Sequence, residues 1–136
     1  MTRYGSVCLV AALLSAVLLG TVGCRNAAEP GYPAQITPAE LAERVRTRAA
    51  PLILDVRSSR EYAAAHVPGA INIPHTELAG RLSELGIDKS DELVVYCLSG
   101  KRAVMAKQLL EKDGYTSVRD LQGQLRAWQG GGYPVE

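Results

Sequence analysis

The sequence predicts a small α/β domain, a parallel sheet with helices on both faces, behind an N-terminal leader. Three observations predict it. Strand and helix signals alternate along residues 35–136, the order that crossovers between parallel strands require. Two strand candidates, "LILDV" (52–56) and "ELVVY" (92–96), are built on continuous apolar runs, as expected for strands covered on both faces. At 136 residues the chain has the length of one domain, and a domain of about 100 residues buries roughly 60–70% of its unfolded surface, enough to fold without staples.

The elements follow in order. "QIT" (35–37) is a short strand. "TPAELAERVRTR" (37–48) opens a helix, with Thr37 as N-cap, Pro38 at N1, Glu40 at N3, and Leu41 and Val45 on one face. Its arginines at 44, 46 and 48 read as a solvated face. After the strand at 52–56, "SSREYAAA" (58–65) gives a short helix with Ser58 and Glu61 in capping-box spacing. "HVPGAINIP" (66–74) is a turn and a brief strand. "TELAGRLSELG" (76–86) places Leu78, Leu82 and Leu85 at helical spacing and stops at Gly86. Beyond the strand at 92–96, "AVMAKQLLEKDG" (103–114) is a helix with Val104, Leu109 and Leu110 inward and Gly114 as its stop. "SVRDL" (117–121) is the last strand, and "LRAWQ" (125–129) a final helical turn.

Residues 1–23 stand apart. "MTRY" carries a positive charge and the apolar stretch "VCLVAALLSAVLLGTV" follows, the layout of a secretory leader and short for a spanning helix. It ends in "TVGC", which resembles a lipoprotein signal in which a small residue, here Gly23, precedes a lipidated cysteine, here Cys24; Thr21 departs from the aliphatic residue usual there. Lipidation of Cys24 is the favoured reading, against an uncleaved anchor helix and a plain cleaved signal. All three export the domain, and the first two hold it at a membrane on the periplasmic side. Residues 24–34, small, polar and proline-bearing, are a tether, and 35–136 are the domain.

Charge excludes one class of partner. The 15 cations and 14 anions become equal in number once Arg3 leaves with the leader, so nothing favours nucleic acid. A monomer is expected. Of the three cysteines, Cys8 lies in the leader and Cys24 is the lipidation candidate, which leaves Cys97 as the one free thiol of an exported protein. No C-x-x-C occurs, which argues against dithiol redox chemistry and a zinc cluster.

Cys97 ends the strand at 92–96 and precedes a helix, within "VVYCLSGKRA" (94–103). In open parallel sheets, ligands bind beyond the carboxyl ends of the strands. A thiol attacks as thiolate, and a free cysteine titrates at about 8.5. Each unit of lowering takes about 1.4 kcal/mol. A helix N-terminus supplies about 0.3–1 kcal/mol, and about 2 when partly buried. Backbone N–H groups of "LSGKR", with Gly100 free to take positive φ, and the charges of Lys101 and Arg102 add to it. A buried structural cysteine is the competing reading, but Gly, Lys and Arg are poor company for an inert core thiol.

"VVYCLSGKRA" resembles the active-site loop of the rhodanese domain, in which a cysteine opens a C-x-x-G-x-R loop. "LILDVRSSREYAAAHVPGAINIP" is similar to that family's N-terminal signature, and "GYTSVRDLQGQLRAWQGGGYPV" to its C-terminal one. The resemblance spans residues 35–136 and implies a five-stranded parallel sheet. It implies sulfurtransferase chemistry: Cys97 as nucleophile, the amides of Leu98, Ser99, Gly100, Lys101 and Arg102 around a persulfide, and Lys101 and Arg102 orienting an anionic donor such as thiosulfate. The acceptor is a thiol, or cyanide in an assay. No cofactor or metal is implied. Three departures stand out. Gln124 follows Gly123 where the family usually has a second glycine, which costs about 1 kcal/mol if φ there is positive. Ala103 replaces a frequent Ser or Thr. Leu98 replaces an Arg or other polar residue, so thiosulfate binding is expected to be weaker than in better-charged relatives.

Other residues receive quieter roles. Asp55 and Arg57, at the end of the strand at 52–56, lie where they could support the loop from beneath, but a structural ion pair or cap is favoured. His66 is expected to be packed and hydrogen-bonded, His75 incidental, and Trp128 a core or rim residue. Two functional alternatives remain. Phosphatases of related fold use a C-x5-R loop; Arg102 gives C-x4-R here, one residue short, and activity on aryl phosphates would discriminate. A persulfide carrier or interaction module would turn over small donors negligibly.

Overall fold

In the computed structural model, residues 33–136 are described; the leader, Cys8, Cys24 and the tether as far as residue 32 lie outside the described residues. Five strands, β1 (Gln35–Ile36), β2 (Leu52–Asp55), β3 (Ile71–Asn72), β4 (Leu93–Tyr96) and β5 (Val118–Leu121), form one sheet in the order β1-β5-β4-β2-β3. Every pairing is parallel. Helices α1 (Pro38–Arg46), α2 (Ser59–Ala64), α3 (Lys101–Lys112) and α4 (Gln124–Gly130) connect and flank the strands. The α/β class, the five-stranded parallel sheet and the helices on both faces are as expected.

Two apolar clusters sandwich the sheet. One face carries Leu54, Val95 and Leu93 against Ala103, Ala106 and Leu110 of α3 and Leu78 and Leu85. The other carries Ile53, Val94 and Tyr96 against Leu41 of α1 and Leu125 and Trp128 of α4. β4 is central and buried at every residue, which is why its sequence runs apolar without alternation.

Local signals set the helix starts. The Thr37 hydroxyl accepts the Glu40 N–H at 3.1 Å with Pro38 in the first turn. Ser58 and Glu61 form the complete capping box. Trp128 is fully buried and donates Nε1–H to the Pro134 carbonyl at 2.7 Å, drawing the C-terminal segment onto the domain.

Three expectations are corrected. Residues 76–86 form two 3₁₀ segments, Leu78–Gly80 and Leu82–Leu85, rather than one α-helix. Gly80 ends the first segment and Arg81 separates it from the second, neither segment has a side-chain cap, and the leucines still reach the core. Val104 is 51% exposed, because α3 lays small Ala103 and Ala106 with Leu110 on the sheet and turns Val104 away. Arg44 does not lie on a free solvated face: its guanidinium forks onto Glu92 at 2.8 and 2.7 Å, and Glu92 also accepts from buried Arg119 at 2.9 Å.

Leu110 seats α3 on β4 and is fully buried. Leu110→Ala is expected to cost about 2–5 kcal/mol by lost burial and a residual cavity. Urea unfolding measures it; a loss below 1 kcal/mol would mean that α3 is not held through this face.

Candidate active site

β4 delivers Cys97 to the carboxyl edge of the sheet. With both faces of the strand covered, the cysteine arrives on a rigid element and is itself 1% exposed. The chain then turns through Leu98, Ser99 and Gly100 into α3. Gly100 makes this turn possible at φ 111°, a conformation L side chains rarely adopt. Its N–H points at Cys97 Sγ over 3.0 Å. The first turn of the twelve-residue α3 begins at the next residue, Lys101. Cys97 is the free cysteine among the described residues.

The start of α4 closes the loop from the other side. Leu125 N–H donates to the Cys97 carbonyl at 3.1 Å and Arg126 N–H to the Leu98 carbonyl at 3.4 Å. Gln124 stands at φ 60°, so the conformation that normally belongs to glycine is adopted by a long side chain. That chain is buried, and its Oε1 accepts the Cys97 N–H at 2.8 Å while Nε2–H donates to the Leu121 carbonyl at 2.9 Å. Two buried hydrogen bonds, at about 0.5–1.5 kcal/mol each, offset the left-handed backbone. Gly123, also at positive φ, has no such freedom: a Cβ there would stand 2.5 Å from Ala127 Cβ.

The loop cations divide. Lys101 is exposed. Arg102 is not a free cation: it makes a bidentate pair with Glu61 at 2.7 and 2.8 Å. Glu61 is in turn fixed by the Ser58 N–H and hydroxyl at 3.0 and 2.8 Å. Arg102 holds the Glu61 carboxyl at about 2, below its ordinary 4.5, with Ser58 adding to the effect. Reciprocally, Glu61 raises the Arg102 guanidinium, and the Cys97 sulfur contributes a smaller part. α2 thereby reaches the sulfur loop through one ion pair.

Asp55 and Arg57 form a buried pair beside the loop rather than within it. Arg57 Nη2 lies 2.6 Å from Asp55 Oδ2 and 2.7 Å from the Ala65 carbonyl, so it ties the end of β2 to the end of α2. Asn72 donates to the carbonyls of Asp55 and Arg57 at 2.9 Å each, adding β3. The Arg57 guanidinium sits 5.9 Å from the centroid of the Tyr96 ring, and the Tyr96 hydroxyl accepts the Val67 N–H at 3.1 Å. Burial pushes the Tyr96 phenol well above its ordinary value, so it stays neutral. His66 is packed: its ring stacks on Tyr62 at 3.7 Å and Nδ1 meets the Tyr62 carbonyl at 2.9 Å.

Two contributors escaped the sequence reading. Glu61 was visible as a capping residue, but no local signal joins it to Arg102, 41 residues away. Gln124 was visible as a departure with an expected cost; its compensating bond to Cys97, across 27 residues, was not.

A parallel α/β domain with a cysteine loop between its central strand and the next helix defines the class. The chain belongs to the rhodanese-like domain family, which it matches over residues 37–130. It is 41% identical over 70 residues to "Thiosulfate sulfurtransferase PspE" of Escherichia coli, covering 52% of this chain and 67% of that one. It is 40% identical over 78 residues to "Putative sulfur carrier protein YrkF" of Bacillus subtilis, covering 57% of this chain and only 41% of that protein. Among solved structures, the human single-domain sulfurtransferase TSTD1 superposes with a TM-score of 0.65 at 32% identity, covering 73% of this chain and 97% of that one.

Glu61→Gln isolates the ion pair, because glutamine also serves at the third position of a capping box. The depressed Glu61 carboxyl contributes stability in full above about pH 4.5 and loses it as pH falls toward about 2. At pH 6 the variant is expected to be about 0.5–1 kcal/mol less stable than the parent, the range for a partly exposed pair. The two should converge toward pH 2. Urea titrations across this range check it; a pH-independent difference would place the effect outside the ion pair.

Proposed function

We propose that the protein is a sulfurtransferase that carries sulfane sulfur as a persulfide on Cys97. The observation that supports this reading most directly is the Gly100 N–H at 3.0 Å from Cys97 Sγ, at the carboxyl end of the central strand of a rhodanese-like domain. The Cys97 thiolate attacks the outer sulfur of thiosulfate, a new S–S bond forms, and the S–S bond of the donor breaks with its electron pair leaving on sulfite. A thiol, or cyanide in an assay, then takes the terminal sulfur and returns the thiolate. Two half-reactions through one covalent intermediate give ping-pong kinetics. The amides of residues 98–102 serve the persulfide, and exposed Lys101 draws in the dianion. With Arg102 committed to Glu61, donor binding is weak.

A second reading is favoured by the relative named as a putative sulfur carrier. The same persulfide would then await a protein acceptor, with little turnover on small molecules.

The first test treats the full chain, solubilised in detergent, with thiosulfate. A gain of one sulfur, about 32 Da, together with thiocyanate production from cyanide, is expected, and Cys97→Ala should abolish both. Mass gain without turnover would favour the carrier. Neither signal would sink the thiosulfate reading, and 3-mercaptopyruvate and aryl phosphates would then be tried.

We also infer export and membrane attachment through lipid on Cys24, with the domain monomeric on the periplasmic side. The support is the charged-then-apolar leader ending in "TVGC". In cells supplied with radiolabelled palmitate, the protein should take up label and fractionate with membranes, and Cys24→Ala should lose the label. An unlabelled but membrane-bound parent would indicate an uncleaved anchor instead.

A further inference from the structure

We infer that Gln124 is a positioning residue for the Cys97 sulfur, its side-chain amide fixing the cysteine backbone so that Sγ faces the Gly100 N–H. The inference rests on the reading of Cys97 as the sulfur-bearing nucleophile and deepens it.

Gln124 sits where the related family usually has glycine, and keeps the left-handed backbone that glycine would adopt, at φ 60°. A side chain in that conformation is strained unless something compensates it. Both polar ends of this one are used. Oε1 accepts the Cys97 N–H and Nε2–H donates to the Leu121 carbonyl. The amide therefore bridges the end of β5 to the nucleophile. The aliphatic stem lies on the side-chain side of Gly100, where an added Cβ would stand 3.8 Å from Gln124 Cγ. One side chain thus bonds one end of the turn and lies beside the other, and those two ends, the Cys97 sulfur and the Gly100 N–H, meet at 3.0 Å.

The arrangement has a chemical consequence. With its N–H engaged by Gln124, Cys97 cannot turn that amide toward a bound anion, so the persulfide is served by the later amides of the loop. The rotation of the Cys97 backbone is limited as well, which keeps Sγ on the Gly100 donor. Without the glutamine amide, the buried Cys97 N–H loses its partner and the turn relaxes to find another. The thiolate then loses alignment with the donor that favours it.

The test uses the full chain and two variants. Gln124→Met keeps a stem of similar length and the left-handed backbone but removes both hydrogen bonds. Gln124→Gly supplies the residue usual in the family, relieves the backbone, and guards against a folding failure of the first. Alkylation of Cys97 by iodoacetamide is followed against pH, with Cys97→Ala as the blank. The charged groups on the elements packed against Cys97 are Arg102 and Lys101 at the start of α3, Glu61 behind Arg102, the Asp55–Arg57 pair at the end of β2, and Arg126 in α4. None is changed by either substitution.

The pH midpoint of alkylation is expected to rise in both variants, as the sulfur anion loses its alignment with the Gly100 N–H. Greater access in a loosened loop hydrates the thiolate of a cysteine now 1% exposed, which lowers the midpoint, so a merely structural role moves it in the opposite direction. Sulfur loading from thiosulfate should slow about tenfold at saturating donor, with little change in the half-saturating concentration. An unchanged or lowered midpoint in either folded variant overturns the inference. Alkylation needs no sulfur donor. If the parent takes no sulfur from thiosulfate, the donor reading fails while the midpoint still decides the role of Gln124.

Discussion

The burial of β4 on both faces is the constraint from which the site follows. A strand packed between Leu110 of α3 and Leu125 and Trp128 of α4 has almost no rotational freedom. The residue after it emerges at a fixed place and angle. The two flanking helices that bury the strand are also the two that shape the loop. α3 begins where the loop ends, and α4 begins with the three residues that bond to Cys97 and Leu98. Packing and chemistry thus draw on the same contacts, and a substitution that unseats either helix reaches the sulfur without touching it.

A second line of support runs through β2. The buried Asp55–Arg57 pair holds the Ala65 carbonyl, and Asn72 adds the end of β3. This knot holds the C-terminal end of the six-residue α2, whose N-terminal end is closed by the Ser58–Glu61 capping box; so short a helix is not stable by itself. Only because α2 is fixed can Glu61 meet Arg102 with two short bonds rather than sampling solvent. The ion pair beside the loop is therefore the end of a chain of contacts that starts in the sheet. The buried Asp55–Arg57 pair at the start of that chain is weak evidence for net stability; its clearer effect here is geometric.

Most of the fold was legible because its signals are local. Capping residues at Thr37 and Ser58, the apolar runs of β2 and β4, and the stops at Gly86 and Gly114 all act within a few positions. What was misread depended on tertiary phase. Val104 looks inward on apolar character alone, but small Ala103 and Ala106 let α3 approach the sheet and set the helix rotation. The 76–86 stretch has the leucine spacing of an α-helix and the hydrogen bonds of two 3₁₀ turns, since spacing reports burial and not backbone pairing. In the candidate site, the position of Cys97 at the end of β4 could be read directly. The partners of Arg102 and of the Cys97 N–H could not, because one chain carries no record of which distant residues meet.

The loop's electrostatics follow from those unread partners. Of its two cations, Arg102 faces a carboxylate fixed by two Ser58 donors, so the pair presents little net charge to an incoming anion. Lys101 remains, on the exposed side of the first turn of α3. A charge in that position acts mainly on encounter and is screened by salt. Once an anion is seated, neutral donors dominate: the Gly100 N–H and the start of α3 keep their orientation whatever the ionic strength. This separates capture from retention. The Cys97 sulfur meets the Gly100 N–H without a free local cation, because the Arg102 guanidinium is turned to Glu61, so on the proposed reading the site keeps its sulfur by geometry rather than by charge.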